Sequence, residues 1–146
     1  MRVFQRVVFD TSTLVSAALR VGSTPHQALA HVVMTGEICV SASILDELDT
    51  VLMRPKFDRY QPAAVRAEFV AFVRQHGMAY LVSAQDEASV SPPSRDAKDN
   101  QFLALLRASN ADVLISSDAD LLVLNPWNGL PILTPREFLD VVINES

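Results

Sequence analysis

The sequence predicts an α/β domain built on one mostly parallel sheet of four to five strands, with helices on both faces. Three observations carry that prediction. Short β-branched, apolar runs alternate along the 146 residues with longer amphipathic stretches. Those short runs are apolar on both faces, as strands of a doubly covered parallel sheet are. Ser, Thr, Asp, Pro and Gly punctuate the joints between them, which is the chemistry of caps and turns.

Residues 3–9 read as the first buried strand, and Asp10-Thr11-Ser12 supplies capping side chains for a helix through about Leu19. Gly22-Ser23-Thr24-Pro25 is a second start signal, with Pro25 suited to the first turn of a helix over 25–35. Ala28, Leu29, Val32 and Val33 form its apolar face, and Gly36 stands as the residue just past its end, before a strand over 37–40. Ser41 or Ser43 caps the next helix, which carries Ile44, Leu45, Leu48, Val51 and Leu52 at helical spacing and stops at Pro55. Pro62 restarts a helix with Val65, Phe69, Phe72 and Val73, and Gly77 ends it before a strand over 79–82. The polar stretch 84–98 contains Pro92-Pro93 and is expected as a surface loop. A helix over 98–109, strands over 111–116 and 131–133, and a last helix from Pro135 complete one domain over 1–146. Its core is expected over about 3–138, with 139–146 as a tail, and no repeat or linker interrupts it.

Composition narrows the class. Hydrophobic residues make up 49% and charged residues 20%, which suits a folded core and not a disordered chain. No apolar run approaches the roughly 20 residues a membrane span needs, and the start has no apolar signal region, so a cytoplasmic protein without membrane attachment is expected. Cys39 is the lone cysteine and sits in an apolar strand, which excludes a disulfide framework. His26, His31 and His76 share no ligand spacing and are expected to pack or face water. The net charge of −5 argues against indiscriminate nucleic-acid binding. Ten of the twelve basic residues are nevertheless Arg, the side chain suited to bidentate phosphate contact.

Four acids stand where strands hand over to helices. Asp10 closes Val7-Val8-Phe9, Glu47 lies one turn into the helix after strand 37–40, Asp99 opens a helix, and Asp118 follows Ile115-Ser116-Ser117. In an open parallel sheet these junctions share one edge, where ligands bind. Converging carboxylates repel one another unless a cation or a shared proton compensates. Singly, each has another explanation: Asp10 and Asp118 as N-caps, Asp99 through the helix dipole, Glu47 as a solvated helix charge. Together they point to a Mg²⁺ or Mn²⁺ site for phosphoryl transfer to water, since these ions prefer carboxylate and water oxygens. The hydroxyls of Thr11, Ser12, Ser116 and Ser117 flank two of the acids and either hold a metal-bound water or finish the caps. No phosphate-binding Gly-rich loop, dinucleotide fingerprint or nucleophile elbow is present, and the chain has only four glycines. The nearest rival chemistry is an aspartyl-phosphate phosphatase with Asp10 as nucleophile, weakened because Ser12 stands where a second Asp is usual.

At these residues the chain resembles the PIN-domain ribonucleases, close to the VapC-like toxin branch. Val8 through Ala17 resembles the family's opening strand and Asp-Thr-Asn motif, and Ser41 through Leu52 with Arg54-Pro55-Lys56-Phe57 resembles its second block. Asp96-Ala97-Lys98-Asp99-Asn100 resembles the Asp-x-x-Asp-Asn block, and Ser116 through Leu121 stands where the family has Thr-Gly-Asp-x-Asp-Leu. The departures are Ser12 for the usual Asn and Ser116-Ser117 for Thr-Gly. The resemblance implies a Mg²⁺- or Mn²⁺-dependent endoribonuclease that hydrolyses RNA with metal-activated water. Asp10, Glu47, Asp99 and Asp118 would form its catalytic and metal-binding quartet, Asp120 a reserve ligand and Asp96 a weaker one. Thr11, Ser12, Ser116 and Asn100 would support them. It also implies a cognate antitoxin as partner and a homodimer. Arg54, Lys56 and Arg59 are the candidate RNA contacts, against the alternative of a solvated helix-end loop. A PIN-like module that binds RNA or protein without turnover is the second functional reading.

Overall fold

The computed structural model describes residues 4–144. β1 (Arg6–Phe9), β2 (Glu37–Val40), β3 (Met78–Ala79), β4 (Val113–Ile115) and β5 (Ile132–Leu133) form one sheet in the order β3-β2-β1-β4-β5. Every neighbouring pair is parallel. Residue 3 of the first predicted strand lies outside the described residues. The predicted strand 79–82 moves forward to the two residues of β3, and 111–116 shortens to its central part, β4, because only those residues pair with a neighbouring strand.

Side-chain alternation explains why both faces are covered. Val7, Phe9, Ile38, Val40, Val113 and Ile115 enter one core, while Val8, Cys39, Leu114 and Ile132 enter the other. The first core is closed by α1 (Thr11–Leu19), α2 (Thr24–Thr35), α3 (Ala42–Leu52), α4 (Ala63–His76) and α8 (Pro135–Asn144). The second is closed chiefly by α6 (Asn100–Ala108) and α7 (Ala119–Leu122), with Phe102 through Leu106 all buried. α8 carries the chain on through 139–144, where the sequence predicts a tail, and buries Leu139 and Val142.

Local chemistry sets the joints. Ser23 and Ser41 accept from the backbone N–H of His26 and Ile44, as N-caps do. Gly36 stands just past α2, as expected, with its N–H donating to the Val32 carbonyl. It is extended, at φ −151°, and it is required for close approach: a Cβ there would meet the Gln5 carbonyl oxygen at 2.8 Å. Inside the expected loop 84–98 lies a short helix, α5 (Ala84–Ala88), held by reciprocal bonds between Ser83 and Asp86. The predicted helix 98–109 begins as a 3₁₀ turn at Ala97–Asp99 and continues as α6.

One buried cation organises the segment between α3 and α4. Arg66 is only 1% exposed and donates to the carbonyls of Leu52 at 2.8 Å, Arg54 at 3.2 Å and Gln61 at 2.9 Å. Its remaining fork pairs with Asp58. The planar guanidinium thus clamps the 3₁₀ segment Pro55–Arg59, which carries Lys56, Phe57 and Arg59. Cys39 is buried and its thiol is pushed up to about 11, first by burial, which keeps it an inert packing residue. The histidines also pack: His26 Nδ1 accepts from Gly22 N, His31 meets the Phe138 ring edge-on and His76 stacks on Phe72. Trp127 is fully buried and donates to the Pro92 carbonyl at 2.8 Å, so it closes a turn. Among the described residues no helix is long and apolar enough to cross a membrane.

Candidate active site

Strand order reverses between β1 and β4, the topological switch point at which an open parallel sheet leaves a crevice beyond its carboxyl edge. Asp10 follows β1 on one side of that crevice, and Ser116 and Asp118 follow β4 on the other. Asp10 is 3% exposed and caps α1, its Oδ1 accepting from Thr13 N at 2.9 Å and from Ser12 Oγ at 3.3 Å. Its Oδ2 accepts from Ser116 Oγ at 2.5 Å, and the same hydroxyl oxygen accepts from Asp118 N at 2.9 Å. Ser116 therefore ties the two sides of the crevice together. Burial raises the Asp10 carboxyl above its ordinary range, against the pull of the bonds from Ser116, Thr13 and Ser12.

Asp99 enters from the third direction, at the start of α6. Its carboxyl is pushed up to about 7, first by burial, then by hydrogen bonding to and repulsion from Asp118, with Asp96 and Asp10 adding repulsion. One of its oxygens is sealed from solvent and has no hydrogen-bond partner, and the hydroxyls of Thr11 and Thr13 are buried and unpartnered as well. A buried acceptor without a donor costs free energy unless something absent from the protein chain satisfies it. Asp118 itself caps α7, its Oδ1 accepting from Asp120 N at 2.9 Å.

The fold thus brings Asp10, Asp99 and Asp118 together, with Asp96 near Asp99 and Asp120 beside Asp118. Glu47 is hydrogen-bonded to α6 and to none of the three. Its Oε2 accepts from Gln101 Nε2 at 2.5 Å, and Gln101 Oε1 in turn accepts from Ser43 Oγ at 3.2 Å. Gln101, two residues beyond Asp99, is the organising side chain that sequence reasoning missed. The signal available was its place in the first turn of α6, beside Asn100. Asn100 does not reach the acids, and its Oδ1 accepts from Ser94 N at 2.7 Å, fixing the loop that delivers Asp99. Arg54, Lys56 and Arg59 all lie on the segment clamped by Arg66.

The donor set suits a hard divalent cation. It offers carboxylate oxygens, one of them sealed and unsatisfied, in a cluster whose repulsion a cation would relieve. Among the described residues no three His, Cys, Asp or Glu side chains form a ready-made metal cage. A cation held here would therefore take much of its shell from water.

An all-parallel five-stranded α/β domain with acids gathered at its switch point defines the class. The family follows from the sequence match: a PIN-domain model covers residues 6–120, and the chain belongs to the PIN-domain family. No curated protein sequence matches it. The fold is similar to VapBC2 from Rickettsia felis bound to a promoter DNA fragment, with TM-score 0.62 and 12% identity over 88% of this chain and 97% of that one. It is also similar to FitAcB from Neisseria gonorrhoeae, with TM-score 0.58 and 13% identity over 89% and 98%. A third similar structure is VapC20 of Mycobacterium tuberculosis, a toxin cleaving the sarcin-ricin loop, with TM-score 0.56 and 15% identity over 86% and 98%.

Proposed function

We propose that this PIN domain is a divalent-cation-dependent endoribonuclease and the toxin of a toxin–antitoxin pair. The observation that carries the reading is the meeting of Asp10, Asp99 and Asp118 at the switch point, with an Asp99 oxygen left unsatisfied. Bound Mg²⁺ or Mn²⁺ would supply Lewis-acid stabilisation of the phosphodiester and a more acidic water. Asp10, Asp99 and Asp118 would hold it, with Glu47 and Asp120 at the margin. Ser116 orients two of these acids at once, since it donates to Asp10 and accepts from the Asp118 backbone. Gln101 holds Glu47 in a fixed direction toward the crevice wall formed by α6. In the hydrolysis itself water adds to phosphorus, one ribose oxygen leaves, and the water proton ends on the leaving side.

An antitoxin partner accords with the surface. Between α1, α2 and α4 lies an apolar groove of about 410 Å³ lined by Leu29, Val33, Met34, Val65, Phe69 and Phe72. Met34 is 82% exposed, an apolar surface of the kind that marks an interaction site. A homodimer is part of the same reading, checked by sedimentation of the isolated chain. The deciding experiment is cleavage of mixed-sequence RNA by the wild-type chain and by Asp99→Asn, each with Mn²⁺ and with EDTA. Cleavage only by the wild type with cation is expected. Equal cleavage by both proteins, or cleavage in EDTA, contradicts the reading.

A further inference from the structure

A second groove, of about 590 Å³, begins at Ser12, next to Asp10, and runs along α1. Its walls include Ser12, Ser16 and Arg20 on one side and Val51, Phe57 and Tyr60 on the other. Ser12, Ser16 and Arg20 recur every four residues, so they form one stripe along the helix. Eight residues of helix place Arg20 about 12 Å from Ser12. Ser12 is bonded to Asp10, so one end of the stripe is the acid site.

The far end is aromatic and cationic. The Arg20 guanidinium carbon lies 5.8 Å from the centre of the Tyr60 ring, and that of Arg59 lies 5.4 Å from it. Lys56 Nζ lies 5.1 Å from the centre of the Phe57 ring. Tyr60 is 44% exposed. Among the described residues the ion pairs are Arg6 with Glu37 and Arg66 with Asp58, so Arg20, Lys56 and Arg59 have no carboxylate partner. In a chain of net charge −5, three unpaired cations beside two rings concentrate positive potential at one mouth. The Arg66 clamp holds Arg54 and the 3₁₀ segment rigidly beside it.

We propose that this groove is the path of a single-stranded RNA segment, with a nucleobase against Tyr60 and backbone phosphates against Arg20 and Arg59. The assignment rests on the ribonuclease reading and adds where the substrate lies and in what form. Aromatic faces accept a base of any sequence once it is unstacked. A base-paired helix presents no free base face, so the groove selects single strands, loops and ends. Arg fits phosphate oxygens in a fork and also lies flat on a ring, which suits Arg20 and Arg59 to either contact.

The test is binding of a labelled mixed-sequence single-stranded RNA in EDTA, followed by anisotropy, so that binding is read without cleavage. Tyr60→Ala and Arg20→Gln are each expected to weaken binding at least about fivefold, and Tyr60→Phe to restore it. Arg20→Gln should also lower the slope of log affinity against log salt by roughly 0.7, and a duplex of the same sequence should bind more weakly. Unchanged affinity in both Tyr60→Ala and Arg20→Gln, equal affinity for duplex, or no binding by the unsubstituted chain overturns the assignment. RNA bound through Tyr60 and Arg20 but never cleaved with Mg²⁺ or Mn²⁺ supports the groove and removes the nuclease reading alone.

Discussion

The two edges of the sheet treat the same side chain in opposite ways. At the amino edge, Asp112 Oδ2 accepts from Gln5 N at 2.8 Å and from Arg6 N at 2.9 Å. Glu37 Oε2 there accepts from the Tyr80 hydroxyl at 2.5 Å and lies 3.6 Å from Arg6 Nε. These acids are surrounded by donors, and they join β1, β2 and β4 at their starts. At the carboxyl edge, Asp99 faces Asp118 and Asp10 and keeps an oxygen without a donor. Asp10 and Asp118 also accept hydrogen bonds, so the difference lies in Asp99, whose neighbours are carboxylates and whose inner oxygen meets no donor. That is the oxygen our proposal gives to a cation. An acid's neighbours, and not its position at a strand end, separate the two roles.

That contrast can be broken most sharply at the carboxyl edge. Asp10→Asn or Asp99→Asn is expected to lower RNA cleavage by more than about 100-fold, above the range for losing an outer hydrogen-bond partner of a metal site. The fold should survive, as judged by circular dichroism. Ser116→Ala removes the bond that joins Asp10 to the Asp118 backbone, and should lower cleavage by about 10- to 100-fold. Serial dilution against one RNA substrate reads both effects.

Stability supplies the next contrast. Mn²⁺ at a hundred times its dissociation constant should stabilise the chain by about 2.7 kcal/mol in thermal melts, and Asp99→Asn should blunt that gain. Without cation, the Asp99 carboxyl titrates at about 7 in the folded chain, above its ordinary value of 3.8. The folded state then holds the proton more tightly, so this contribution is fully present below about pH 4 and is lost as pH rises through 7. Wild type minus Asp99→Asn, melted in chelator from pH 4 to 8, should show stability falling across that window. A flat difference would contradict the raised carboxyl. The smallest effect belongs to the amino edge: Asp112→Ala should cost about 1–2 kcal/mol for two lost backbone bonds, with cleavage per folded molecule unchanged.

Much of this was readable in the sequence, and the reason is local. Asp10, Ser41, Asp99 and Asp118 each follow a strand or open a helix, so capping rules and one parallel-sheet rule place them near one edge. Val7 to Phe9 and Val113 to Ile115 are apolar on both faces, which announces helices on both sides. What escaped depends on partners far away in the chain. Gln101 meets Glu47 across 54 positions, and Arg66 reaches back to the carbonyl of Leu52. Neither bond leaves a spacing to read. α5 escaped because five residues are too few for intrinsic helix stability, and it is held by the Ser83–Asp86 capping box and by Arg107 of α6, which donates to the Asp86 carbonyl. Gly36 was legible as the residue past a helix end, but the reason it must be glycine is steric and set by the carbonyl of Gln5, just ahead of β1.

The central claim is that Asp10, Asp99 and Asp118 share a divalent cation, and a crystal soaked in Mn²⁺ tests it most directly. The account predicts an anomalous peak within bonding distance of the Asp99 or Asp118 carboxylate, in the crevice between β1 and β4. A fully soaked crystal with no peak there, or with its strongest peak beside Asp112 and Glu37 at the other edge, would contradict it.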